Sequence, residues 1–180
     1  MMEKNLILNE GTLVDATLIH ASEPKRKRDE KGNIISNEAN DPDATYTSKR
    51  GVKHHGYKVH IATDTQSVIK DLRTTTAKAH DGAITDALTE DETKAVFADS
   101  ASMSKERKRS LRKRGIFCGI IERRVRGQSK LRPKQSKNNQ RFAKIRAVVE
   151  LPFAFMKRIM HFTQTKYIGI HKNSQHAYLI

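Results

Sequence analysis

The sequence predicts an α/β fold, a mixed sheet flanked by helices, on three observations. Residues 56–64, GYKVHIATD, alternate with Tyr57, Val59 and Ile61 on one face and Lys58 and His60 on the other, the period of a half-buried strand. Two further apolar runs each carry one acid: Asp15 within TLVDATLIH (12–20) and Asp99 at the end of KAVFADSAS (94–102). Between and after these runs the apolar period lengthens to that of a helix, as at Ala83, Ile84, Ala87 and Leu88.

The elements follow in order. Residues 12–20 form a strand whose acid is costly to bury unless it meets a cation or a donor. Residues 22–53 are polar, with PKRKR, KGN and NDPDAT turn signals, and make a long surface excursion. Residues 56–64 and 68–81 pair as an antiparallel hairpin across a TQS turn. A helix over 83–93 leads to the strand that ends on Asp99, and an acid at a strand's carboxyl end is a frequent ligand position. A basic helix (102–115) closes on Gly115, a buried strand follows (116–121), and 122–138 is a basic loop. A helix spans 138–158, and residues 174–180 are a tail. The pattern amounts to one domain over residues 8–173, in the ribonuclease-H-like arrangement, where the first and fourth strands are central neighbours. Asp15 and Asp99 then converge with Glu150 from the late helix.

Glu150 is the only carboxylate in NNQRFAKIRAVVELPFAFMKR (138–158). At about 100° per residue, Arg146 lies about 40° from it and Lys157 about 20°, so all three share one face. A solvated i,i+4 ion pair would also explain Arg146 and Glu150. Pro152 removes one backbone bond and predicts a bend just after Glu150.

The 180 residues carry a net charge of +15, and its distribution is uneven. Lys105–Arg146 holds 17 Lys or Arg against two acids, Glu106 and Glu122, while the rest of the chain is balanced. So concentrated a field points to a polyanion, above all nucleic acid, bound with little sequence preference and steep salt dependence. Arg112, Lys113, Arg123, Arg124, Arg141 and Lys144 are its candidate DNA-binding cations. No apolar run approaches the roughly 20 residues of a membrane span. No signal peptide precedes Glu3 and Lys4, and the lone Cys118 fits a reducing cytoplasm.

The strings VDATLIHA, GYKVHIATD with TTAKAHD, VFADSAS and RAVVELPFAFMK, in that order, resemble the DDE transposases of bacterial insertion sequences, in the insertion-sequence-five-like group. Arg146-x3-Glu150-x6-Lys157 matches three of the four positions of that group's glutamate-helix signature. The resemblance implies Asp15, Asp99 and Glu150 as a catalytic triad that binds two Mg2+ ions, with Mn2+ able to substitute. It implies Arg146 and Lys157 as phosphate contacts at the transposon end. Implied partners are double-stranded DNA, as transposon ends and target, and a second copy of the chain on that DNA, in the bacterial cytoplasm at the nucleoid. Three departures stand out: Ala143 replaces a tyrosine, Ser102 replaces an aromatic residue, and the first catalytic strand begins near Met1. The last makes the expected protein a truncated transposase, essentially its catalytic domain. The rival expectations are a non-catalytic DNA-binding remnant, a generic ribonuclease-H-like nuclease, and a ribosomal-type RNA-binding protein. The carboxylates set in apolar strands argue against the last.

Overall fold

The computed structural model describes residues 10–32, 34–38, 40–49, 51–124 and 126–180. The expected domain start at residue 8, and residues 33, 39 and 50 of the excursion and 125 of the basic loop, lie outside the described residues. In chain order the elements are β1 (Thr12–His20), β2 (Lys25–Arg28), β3 (Ile34–Glu38), β4 (Thr45–Lys49), β5 (Val52–Thr63), β6 (Ile69–Thr76), α1 (Asp81–Leu88), β7 (Ala95–Ala98), α2 (Lys105–Lys113), β8 (Phe117–Cys118), α3 (Pro133–Arg146), α4 (Glu150–Arg158) and α5 (Ile170–Leu179). Short 3-10 turns cover Ser100–Ser102 and Ala147–Val149. The chain divides into two compact units. One comprises Met1–Ala16, His60–Leu72 and His80–Phe155, the other Thr17–Val59, Arg73–Ala79 and Met156–Ile180.

In the first unit the strand order is β6-β5-β1-β7-β8. β1 runs parallel to β7, with Thr12 opposite Val96, Leu13 opposite Phe97 and Val14 opposite Ala98. β7 runs parallel to β8. β5 and β6 meet across the predicted turn, where Asp64 accepts from the amides of Gln66 (2.8 Å) and Val68 (2.9 Å). This mixed sheet with its helices is the ribonuclease-H-like arrangement. Its core gathers Val14, Ala62, Leu88, Val96, Ala98, Leu111, Ile116 and Ile120, with Ile84 and Met103 packed against it. Burying this apolar surface is the main force that closes the unit.

β5 departs from the predicted alternation: His60, Ile61, Ala62 and Thr63 are all buried, so at this end both faces of the strand are covered. β8 is only two residues long, against the six-residue strand expected over 116–121. Gly119 follows it because a Cβ there would lie 2.2 Å from the Phe97 ring. α3 begins at Pro133, inside the expected loop. Proline suits the first turn of a helix, and the Gln135 side chain accepts from the Arg132 amide at 3.1 Å.

In the second unit the polar excursion contains strands. β2 and β3 form an antiparallel hairpin, and β4 pairs antiparallel with the first half of β5, Thr45 to Gly56 through Lys49 to Val52. Gly56, at φ 147°, is required here, since a Cβ would lie 2.1 Å from the Ile19 carbonyl oxygen. The NDPDAT turn anchors α5, which replaces the expected tail. Asp41 accepts from the Tyr57 hydroxyl (2.7 Å) and the Gly169 amide (3.2 Å), and Asp43 from the Ile170 amide (2.9 Å). The helix is legible only once these caps are in place.

Candidate functional site

The first unit builds its acidic end from strand register. Leu13 and Val14 are buried on β1, and Ala95–Ala98 are buried on β7. The last pair of the register, Val14 with Ala98, is followed in both segments by an aspartate. Continuing the register by one residue sets Asp15 beside Asp99, on neighbouring strands about 4.8 Å apart. Asp99 then leaves the sheet: its Oδ1 accepts from the Ala101 amide and caps the Ser100–Ser102 turn. This bond uses Oδ1 alone.

Asp15 is half-buried and pairs with Arg146, whose Nη2 lies 3.2 Å from Oδ2. Burial raises the Asp15 carboxyl above its usual range. The Arg146 guanidinium and the bond to the Ala16 backbone pull it down, while the charges of Asp99 and Glu150 push it up, and the balance is upward. The charges of Asp99 and Glu150 therefore both reach Asp15, with Arg146 as the cation in contact. Arg146 Nε is buried and has no hydrogen-bond partner among the described residues. Glu150 is exposed, at the start of α4. Among the described residues no three His, Cys, Asp or Glu side chains are gathered closely enough to hold a metal ion.

The single helix face expected for Arg146, Glu150 and Lys157 is interrupted. α3 ends at Arg146, a 3-10 turn covers Ala147–Val149, and α4 starts at Glu150. The interruption therefore precedes Glu150 rather than following it. Pro152 then falls in the first turn of α4, where its missing amide costs no helical bond. Lys157 belongs to the second unit. Its ammonium is half-buried, and burial, then the charge of Lys49, holds its pKa below the usual lysine range. In the same unit the rings of His20 and His54 meet at a tilt of 49°, with centroids 5.2 Å apart.

The basic block supplies exposed cations on several elements of the first unit. Arg112 and Lys113 occupy the last turn of α2, where positive charge suits the helix dipole. Arg141 and Lys144 are exposed on α3. Arg123 donates through Nε to the Ser100 hydroxyl at 3.0 Å, and Arg124 donates to the Ser129 carbonyl at 3.1 Å.

Arg107 was indistinguishable from its neighbours in the charge run, yet it is buried. It grips Asp86 with Nε (2.5 Å) and Nη2 (2.7 Å), and donates to the carbonyls of Gly82 (2.6 Å) and Ser102. The signal was present in one respect: Leu111, the sole apolar residue of α2, lies one turn after Arg107 on the same face. Ser102, noted above as a departure from the resembled family, shares a hydrogen bond with the Thr85 hydroxyl at 2.8 Å. Arg107 and Ser102 thus tie the turn after Asp99 to α1 and α2.

A family model described as "Transposase DDE domain" matches residues 8–180 of the chain. The chain is a member of the transposase DDE domain family. This DDE domain is also 30% identical, over 189 aligned residues, to a transposase for insertion sequence element IS1106 of Neisseria meningitidis serogroup B. The alignment covers 99% of the chain and 65% of that relative, so the DDE domain spans about two thirds of its length. No solved structure matches it. Among the described residues of the DDE domain, no helix is long and apolar enough to cross a membrane.

Proposed function

We propose that this DDE domain cleaves and joins DNA strands in the transposition of an insertion sequence, with Asp15, Asp99 and Glu150 as its catalytic carboxylates. The single observation that carries the reading is the β1–β7 register, whose last pair, Val14 with Ala98, precedes an aspartate on each of two central parallel strands. The donor set suits Mg2+: it is carboxylate oxygen throughout, with no thiol or imidazole, and Asp99 leaves Oδ2 outside its turn bond. Two Mg2+ ions, or Mn2+ in their place, would supply Lewis acidity at the attacking and leaving oxygens.

The chain's own residues do the rest. Asp15 and Asp99 hold the reacting phosphate's surroundings at the sheet's end, and Glu150 contributes from the start of α4. Arg146 balances the Asp15 charge and offers a planar guanidinium to a phosphate oxygen. The exposed cations Arg112, Lys113, Arg123, Arg124, Arg141 and Lys144 bind the backbone of double-stranded DNA, both element ends and target. Lys157, in the second unit, is by itself a further candidate for a phosphate contact. A second copy of the domain on the DNA, in the bacterial cytoplasm at the nucleoid, completes the reading.

A binding-only reading has two observations in its favour: Arg146 is paired to Asp15, and no three potential ligands are gathered among the described residues. Plasmid nicking separates the two. With Mg2+ or Mn2+ the domain nicks supercoiled DNA, and Asp99→Asn or Glu150→Gln lowers the rate at least about 100-fold while DNA binding is retained. Equal nicking by all three proteins, or none by any, contradicts the catalytic reading.

A further inference from the structure

Beside Asp99 the first unit has a second feature, an open cavity of about 490 Å³. Its wall includes Ser100 and Ala101, the two residues that follow Asp99, and the cations Lys105, Lys108, Arg123 and Arg124. We propose that this cavity is a subsite for a nucleotide phosphate of the DNA strand next to the bond held at Asp99. The proposal rests on the reading of Asp99 as part of the reactive centre, and it adds where the neighbouring nucleotide goes.

Charge makes the first argument. Four cations face one acid, Glu122, and that acid is already engaged: it accepts from Lys108 and, at 2.6 Å, from the Gln135 amide. Those bonds hold the Glu122 carboxyl below its usual range, so it stays ionised and keeps Lys108 fixed. Lys105, Arg123 and Arg124 have no carboxylate partner among the described residues. Three uncompensated cations around one concavity favour an anion, and the arginines can meet phosphate oxygens in pairs.

Shape and position make the second. The volume suits one nucleotide, within the several hundred Å³ usual for small-ligand sites. Ala101 and Met103 offer an apolar wall for a sugar, while Ser100 and Ser104 offer hydroxyls. His80 also lines the cavity, and its Nδ1 accepts from the Gly82 amide at 3.2 Å. The ring proton of the neutral form therefore sits on Nε2, which leaves a donor on the other side of the ring. The link to the reactive end is direct: Arg123 is tethered to the Ser100 hydroxyl, and Asp99 caps the amide of Ala101. A phosphate held by Arg123 is thus fixed relative to Asp99 through two hydrogen bonds.

The test uses a 5′-phosphorylated hexadeoxynucleotide in metal-free buffer, followed by fluorescence anisotropy, with plasmid nicking measured on the same proteins. Lys105→Ala combined with Arg124→Ala removes two exposed cations and should weaken binding about ten-fold. Lys166→Ala combined with Lys172→Ala, two exposed cations of the second unit, is the charge-matched control and should change binding less than two-fold. Asp99→Asn should keep or improve binding while abolishing nicking. Unchanged binding in the double variant, or equal losses in the double variant and the control, overturns the subsite. Nicking that survives Asp99→Asn instead overturns the catalytic reading, whatever the binding series shows.

Discussion

The two ends of the β1–β7 strand pair each hold a carboxylate, and they treat it in opposite ways. At the amino end, buried Glu92 accepts from the Thr12 hydroxyl (2.5 Å), from the amides of Lys94 (2.7 Å) and Thr93 (2.8 Å), and from Lys70 (3.2 Å). Burial would raise its pKa, but these donors outweigh it, and the carboxyl lies below its usual range. At the carboxyl end Asp15 has one guanidinium and one backbone bond, faces the charges of Asp99 and Glu150, and lies above its usual range. One end is a closed ionic latch. The other keeps unspent charge, which is where a fold satisfied elsewhere is expected to do chemistry.

Breaking the latch should have the largest effect. Glu92→Gln leaves Lys70 short of its partner in a buried setting and should cost about 2–4 kcal/mol of stability. The sign with pH follows from the depressed pKa. The Glu92 contribution is present above the unfolded value, 4.5, and is lost as pH falls through the lower folded value. Urea unfolding of wild type and variant should therefore differ most at neutral pH and converge in acid. A difference below about 0.5 kcal/mol at neutral pH would mean that the latch does not hold the strands.

Arg146→Ala sharpens the other side of the comparison with a smaller effect. It removes the strongest influence lowering the Asp15 pKa, so the carboxyl should titrate still higher, read from carbon-detected NMR of the side chain. The stability cost should be only about 1 kcal/mol, since both side chains of the pair stay partly open to solvent. An unmoved Asp15 titration would show that Arg146 does not govern it.

Much of this contrast was legible in the chain, but not all. Asp15 and Asp99 stood out because a carboxylate in an apolar run is costly without a purpose, and their register follows from pairing two such strands. Glu92 did not stand out: it lies in the acidic stretch TEDET, where only tertiary donors separate it from Glu90 and Asp91. The continuous helix over 138–158 failed for a different reason. Periodicity over Arg146–Lys157 is compatible with one helix, and a single 3-10 turn before a proline leaves no mark on it. Arg107 shows the same limit, since a charge run does not say which member a fold will turn inward.

The central claim is that the carboxyl end of the strand pair, and not the amino end, is the reactive one. Mn2+ binding measured by electron paramagnetic resonance tests it most directly on four proteins: wild type, Asp15→Asn, Asp99→Asn and Glu92→Gln. The account predicts that wild type and folded Glu92→Gln bind alike, while each aspartate variant loses affinity at least about ten-fold. Binding unchanged by both aspartate variants, or lost equally with Glu92→Gln, would contradict it.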